Sequence, residues 1–157
     1  MVLGKGFVAF VSSMLLVCII GNLFLIENCP AAGNTLYVGG AEPGNYTKIQ
    51  DAINSKSYDD IIFVFSGAYY EKLDIAKDVT IIGENKDSTF IDGGSNGHVI
   101  NAHGIAGSEI QVSLQNLTIR NAGGSGFDCV TFLYVISSEI SNNEISECQL
   151  ITRRGIQ

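Results

Sequence analysis

From residue 59 onward the apolar residues come in short runs, many alternating with polar neighbours, and nearly every run ends at Gly, Asn or Asp. The stretch "VTIIGENKDSTFIDGGSNGHVIN" holds three such runs, none long enough for a helix. Together with "IIFVFSG", "EKLDI", "IQVSLQNLTIRN", "VTFLYVIS" and "SEISNNEIS", these runs predict a series of short β-strands punctuated by turns. Ahead of them "GNYTKIQDAINS" has a different period. Tyr46, Ile49, Ala52 and Ile53 fall on one helical face, which predicts one amphipathic helix over residues 47–54, with Thr47 and Gln50 as a reciprocal capping box.

Evenly spaced short strands point to a repeat. Val79, Val99, Ile119 and Ile140 follow one another at a nearly constant step, and the same alignment brings Asn101, Asn121 and Asn142 into a second column. A repeat of this length holding two or three strands is one coil of a β-solenoid. Coils stack about 4.8 Å apart, so equivalent residues lie over one another. The apolar column is expected to fill a single core. The asparagines are expected to form a ladder at one bend, where Asn tolerates left-handed backbone angles and its amide bonds to the next rung. The predicted class is therefore all-β, a solenoid with coils of about 20–21 residues and a helix capping its N-terminal end.

The N-terminus stands apart: residues 7–26, "FVAFVSSMLLVCIIGNLFLI", are apolar and uncharged and follow a single Lys5. Their number matches the roughly 20 residues of a bilayer crossing, whereas the small residues of "CPAAG" suit a cleavage site. Residues 1–32 are thus a signal peptide or a membrane anchor, and residues 33–157 a separate β-helix domain on the outer side of the membrane, secreted or held at the cell surface. There, Asn45 and Asn116 head glycosylation sequons, Asn-Tyr-Thr and Asn-Leu-Thr. The 16 acidic residues outnumber the 9 basic ones, a net charge of −7, and Lys and Arg form no stripe that would neutralise phosphates. This composition excludes a nucleic-acid partner.

The series "YTKIQDAI", "GAYYE", "VTIIGEN" and "FIDGG", with its flanking residues, resembles the start of the right-handed parallel β-helix domains of the pectin lyase-like superfamily. The resemblance extends to repeat proteins grouped with the nitrous-oxide reductase maturation protein NosD and to archaeal and bacterial cell-surface proteins. It covers about four fifths of the chain and implies the fold more than any activity. The same series is similar to the N-terminal part of pectin methylesterases, which implies paired Asp residues with Gln and Arg on one face, one carboxylate attacking the ester and another moving the proton. Here "QNLTIRNAGG" is followed by "SGFDCVTFLYVISSEIS", with neither the Gln-Ala-Val nor the Tyr-Gln-Asp segment of those enzymes. Asp128 is the only aspartate after Asp92. The chain also lacks the twin-Asp and His-Gly pattern of polygalacturonases and the calcium-binding Asp cluster of pectate lyases. No catalytic residue is assigned.

Among the remaining polar residues, Asp92, His98 and His103 are candidate ligand contacts. Two His and a carboxylate suit copper or zinc, yet the histidines sit at opposite ends of a strand and bend with no Cys or Met beside them. Neither a metal site nor a cofactor is expected. Tyr69 and Tyr70 of "GAYYEK" can stack on sugar rings or pack at the rim of the core. Cys129 and Cys148 lie about one coil apart, which permits a disulfide between neighbouring coils, the competing arrangement being two reduced thiols in the core. After "SECQL" the sequence shows no capping helix or closing hairpin, so the domain reads as incomplete at that end, with an open edge through which the chain self-associates.

These observations favour a non-catalytic exported module that binds glycans or cell-envelope proteins or serves as a spacer. The alternative is the N-terminal portion of a carbohydrate-active enzyme. A copper accessory role of the NosD kind is a third reading.

Overall fold

The computed structural model describes residues 33–124, 127–148 and 151–154, the last four through their backbone. The signal or anchor expected over residues 1–32 lies outside the described residues. Among those described, no helix is long and apolar enough to cross a membrane.

Residues 33–157 form one compact unit, whose described residues build thirteen strands and one helix. Strands β1 (Thr35–Val38), β2 (Ile61–Val64), β5 (Val79–Gly83), β8 (Ile110–Gln115) and β11 (Val135–Ser141) form the first sheet in that order. The second sheet stacks β3 (Gly67–Tyr69), β6 (Thr89–Asp92), β9 (Thr118–Arg120) and β12 (Glu144–Ser146), and the third stacks β4 (Leu73–Ile75), β7 (Ile100–His103), β10 (Val130–Leu133) and β13 (Ile151–Arg154). Every strand pairing is parallel. The chain visits the three sheets in turn, so each circuit is one coil of a parallel β-solenoid about four turns long.

Alternation decides what fills the interior. In β5 the pattern VTIIG buries Val79 and Ile81 and turns Thr80 and Ile82 outward, as period-two side chains require. The same parity in the other strands gives one continuous core of mostly β-branched residues, among them Ile62, Ile75, Ile91, Ile100, Leu114 and Ile119, all at most 2 % exposed. Helix α1 (Ile49–Ser55) packs Ile49, Ala52 and Ile53 against β1, β2 and β4, covering the N-terminal end of that core.

The cap differs from the expected box. The helix begins at Ile49 after Lys48, and no side chain of its own first turn caps it. The Glu71 carboxylate does so from the following coil, accepting the Ile49 and Gln50 N–H groups at 3.0 and 3.1 Å. Gln50 instead bonds Asn54 and the Asp74 backbone. A carboxylate satisfies two exposed donors at once and favours the positive end of the helix.

The columns also differ. All four apolar residues contribute to one core, with Val79, Val99 and Ile119 buried and Ile140 half-buried against it, but they do not stack. Val79 lies beside Val112 in the first sheet, Ile119 lies between Ile91 and Ile145 in the second, Ile140 lies beside Leu114, and Val99 leads into the third sheet, where its carbonyl accepts the Leu73 N–H. The coils are unequal: the circuit that brings Thr80 over Ile61 is much shorter than the next one, which brings Ser113 over Thr80. Turns around residues 93–99 and 104–109 supply the added length.

The asparagines follow suit. Asn101 lies within β7 and donates to Asp74 Oδ1, and Asn121 donates to Asp92. The rung that does form joins Asn142 to Asn116, Nδ2 to Oδ1 at 2.7 Å. Both have positive φ, 51° and 56°, at the corner between the first and second sheets, which is the conformation Asn adopts at low cost. The next position in this column is Gly83, where a Cβ would run into the Asn116 carbonyl. The ladder is two residues deep because the coil beneath leaves no room for a third.

A disulfide joins Cys129 and Cys148, whose Cα atoms are 5.4 Å apart. Cys129 precedes β10 and Cys148 precedes β13, so the bond crosses between the last two coils.

Candidate functional site

The outer face of the first sheet carries two rows of side chains that run along the stack. One row is Tyr37, Phe63, Ile82, Gln115 and Ser141; the other is Thr35, Ile61, Thr80, Ser113 and Glu139. At its N-terminal end the first row is aromatic. Tyr37 packs edge-on to Phe63 at 6.0 Å between ring centres and stacks on Phe65 at 5.9 Å with 26° between the planes, while Phe63 and Phe65 meet edge-to-face at 5.3 Å. Such geometries are those favoured by ring quadrupoles. Tyr37 is 45 % exposed, and Ile61, in the second row, and Tyr58, on the loop before β2, are exposed as well.

Over the second row lies a cleft of about 420 Å³ whose walls include Tyr58, Ile61, Asp78, Thr80, Ser113 and Glu139, and none of the three aromatic rings lines it. Its polar groups divide into those already committed and those left open. Asp60 is committed: its two oxygens accept the Asn34 and Ser57 N–H groups at 2.8 and 2.7 Å. The Ser57 and Asn34 amides hold its carboxyl below the ordinary range. Lys56 is committed too, its ammonium donating to the Ser57 and Asp78 carbonyls at 2.9 Å each. Burial, with Lys77 nearby, pushes its pKa down. Asp78 accepts the Gln111 N–H at 2.8 Å through Oδ1. Asp59, Asp78 and Glu139 are exposed.

The residues singled out from sequence scatter over other parts of the solenoid. Tyr69 is buried at the rim of the core, its hydroxyl donating to the Phe65 carbonyl at 2.8 Å; burial, then Glu71 and Glu84, raises its pKa. Gly39, at φ 77°, is obligatory there because any Cβ would strike this hydroxyl. Tyr70 is 75 % exposed and has no aromatic neighbour among the ring contacts of the described residues.

Asp92 sits at the end of β6, nearly buried. It accepts the Gly94 N–H at 3.0 Å, the Asn121 amide at 2.7 Å and Arg120 Nε at 3.0 Å. Burial alone would raise its pKa, but these donors outweigh it and hold the carboxyl low. Arg120 in turn lies 4.7 Å over the Phe90 ring. This is a satisfied network that closes the corner after the second sheet.

His98 and His103 serve different partners. His98 Nδ1 lies 2.9 Å from Thr131 Oγ1 and beside the Asp128 backbone, its ring edge-on to Phe127. His103 Nε2 is 3.1 Å from Asp74 Oδ1. Among the described residues no group of three or more His, Cys, Asp or Glu converges as a metal site would. Of the sequon residues, Asn45 is half-buried and donates to the Gly39 carbonyl at 2.6 Å, and Asn116 is the ladder residue at the sheet corner.

Sequence reasoning missed Tyr37, Phe63 and Phe65, and also the gathering of Asp59, Asp60, Asp78 and Glu139 around one cleft. The aromatic signal was present in "LYV" and "IIFVF", but both parities of the second run are apolar, so alternation alone does not say which faces outward.

No protein-family model matches the chain, and no curated protein matches it. Among solved structures the chain is similar to pectin methylesterase from carrot, with a TM-score of 0.51 and 20 % identity over 74 % of this chain and 40 % of that one. The chain thus spans less than half the length of the solved structure it matches. At this identity the likeness concerns the fold alone, a parallel β-helix.

Proposed function

We propose that the chain is a non-catalytic glycan-binding β-helix module, secreted or anchored at the cell surface. The observation that carries this reading is the cluster of exposed Tyr37 with half-buried Phe63 and Phe65 on the outer face of the first sheet, whose second row lines a polar cleft. Sugar rings present C–H faces that pack on aromatic rings and hydroxyls that seek carboxylate, hydroxyl and amide partners, and Thr80, Gln111, Ser113 and Glu139 supply these. The coil step of about 4.8 Å is close to the rise of one pyranose in an extended chain, so a glycan running along the stack meets one outward side chain of the first row per coil, Tyr37 and Phe63 first and then Ile82, Gln115 and Ser141. The fold likeness to an enzyme named for pectin is in keeping with a carbohydrate ligand. The apolar segment at residues 7–26 supports export or anchoring, and the outer edges of β11 and β12, unpaired among the described residues, support self-association.

Support for a binding rather than a catalytic role comes from the sequence, which lacks the Gln-Ala-Val and Tyr-Gln-Asp segments of the esterases and has no second aspartate after Asp92 to pair with Asp128. The second reading, a portion of a carbohydrate-active enzyme, draws on the partial coverage of the carrot enzyme.

Sedimentation of the chain with a panel of insoluble polysaccharides tests the proposal. At least one should retain it without releasing soluble sugar, and Tyr37→Ala should weaken retention about two- to tenfold, in keeping with roughly 0.5–1.5 kcal/mol for an aromatic contact beyond its buried area. Unchanged retention by Tyr37→Ala would remove the aromatic face from the account.

A further inference from the structure

The fold treats the two sequons differently. At the second one Leu117 and Thr118 are buried, and the Thr118 hydroxyl donates to the Lys86 carbonyl at 2.7 Å. Asn116 itself is held in the rung with Asn142. A transferase that reads the asparagine amide together with the threonine hydroxyl finds this corner closed once it has folded. The first sequon follows the turn between β1 and α1, and its Thr47 is exposed. Asn45 donates one of its two amide protons to the Gly39 carbonyl, which leaves the other to be replaced.

Beside that amide lies an aromatic ring. Gly40 has φ 72°, and the point that a Cβ would occupy there is 3.0 Å from Phe65 Cδ2 and 3.2 Å from Asn45 Nδ2. No more than the width of a methyl group therefore separates the amide from the ring, and glycine keeps the gap open. Phe65 is half-buried and stacked on Tyr37. It stands two positions beyond Phe63, outside the row of Tyr37, Phe63 and Ile82.

We propose that Asn45, and not Asn116, is N-glycosylated, and that the first sugar of its glycan packs on the Phe65 ring. The donor is an oligosaccharide carried on a polyprenyl diphosphate. The bond between its anomeric carbon and the diphosphate oxygen breaks, a bond from Asn45 Nδ2 to that carbon forms, and the displaced amide proton leaves with the diphosphate. The apolar C–H face of the sugar then covers an aromatic surface that no side chain of the turn covers, since Gly40 has none. The inference rests on the export part of the reading above and needs no foreign glycan.

The test is to express the full chain in a eukaryotic secretory host, release its glycans enzymatically in heavy-oxygen water, which marks each occupied asparagine, and map the peptides by mass. Asn45 should be marked and Asn116 unmarked, and Thr47→Ala should leave the chain unglycosylated. The glycosylated chain should melt about 2–6 °C above Thr47→Ala, the share of one aromatic contact in a domain of this size. In a Phe65→Ala background that difference should vanish. Nuclear Overhauser contacts between the first sugar and the Phe65 ring check the seat with no substitution, so the result does not depend on Phe65→Ala folding. Marking of Asn116, or of neither asparagine in the exported chain, would overturn the site. Equal melting with no Overhauser contact would overturn the seat. An unmarked chain left in the cytosol would bring down export and this inference together. Retention of the unglycosylated chain on polysaccharide is measured separately and decides the binding reading by itself.

Discussion

Replacing Ile119 with aspartate should abolish folding of the β-helix. Ile119 is fully buried in β9, stacked between Ile91 below and Ile145 above. A carboxylate there has no donor, and an unpaired charge in such a place costs several kcal/mol. That is a large share of the roughly 5–15 kcal/mol by which a domain is stable. The position lies mid-stack, so the damage cannot be confined to a terminal coil. Circular dichroism on heating should show no cooperative transition for Ile119→Asp, while Ile119→Val, which trims one methyl group, should lose only about 0.5–1.5 kcal/mol. A soluble aspartate variant that melts cooperatively near the parent temperature would contradict the core described here.

The second large effect concerns the bond between Cys129 and Cys148. It closes a loop of 19 residues and pins the last coil to the one before it, and the 5.4 Å between the Cα atoms lies within the window disulfides accept. By chain entropy such a loop contributes about 3 kcal/mol. Serine at both positions should therefore lower the melting temperature by about 12 °C, taking about 4 °C per kcal/mol for a domain between the 60–100 and 150–250 residue ranges. Hydrogen exchange should quicken first in β13 and β12, which depend most on the staple. Alkylation of the native, unreduced protein followed by peptide mass mapping should leave Cys129 and Cys148 unlabelled, and labelling of both would rule the bond out.

Much of this architecture is written plainly in the chain. Period-two runs such as "VTIIG" and "IQVSLQ", cut by Gly, Asn and Asp, allow little but short strands, and the one helix-period segment became the cap. The coil register was not legible, and the reason is physical. A solenoid core accepts any β-branched residue at any inward position, so a fixed step along the chain lands on an inward position in a neighbouring sheet as readily as in the next coil. Val79 and Val99 satisfy such a step while belonging to different sheets. Unequal turns change the true step without disturbing the alternation.

The cap escaped for a related reason. Glu71 reaches the helix from the next coil, and only the folded stack brings the two together. The candidate site depended on the same long-range placement. Tyr69 and Tyr70 stood out as adjacent aromatics, yet adjacency along a strand sends the two to opposite faces, one buried and one isolated. Tyr37 and Phe63 are far apart in sequence and become neighbours because β1 and β2 pair in register.

The most direct check of the account is where a sugar touches the molecule. With a soluble oligosaccharide from the class that retains the chain, chemical-shift mapping should perturb the backbone amides of Tyr37, Phe63, Thr80, Ile82 and Ser113, along the outer face of the first sheet. Shifts confined to the third sheet, around Asp74, Asn101 and His103, or no shifts at a saturating concentration of sugar, would contradict it.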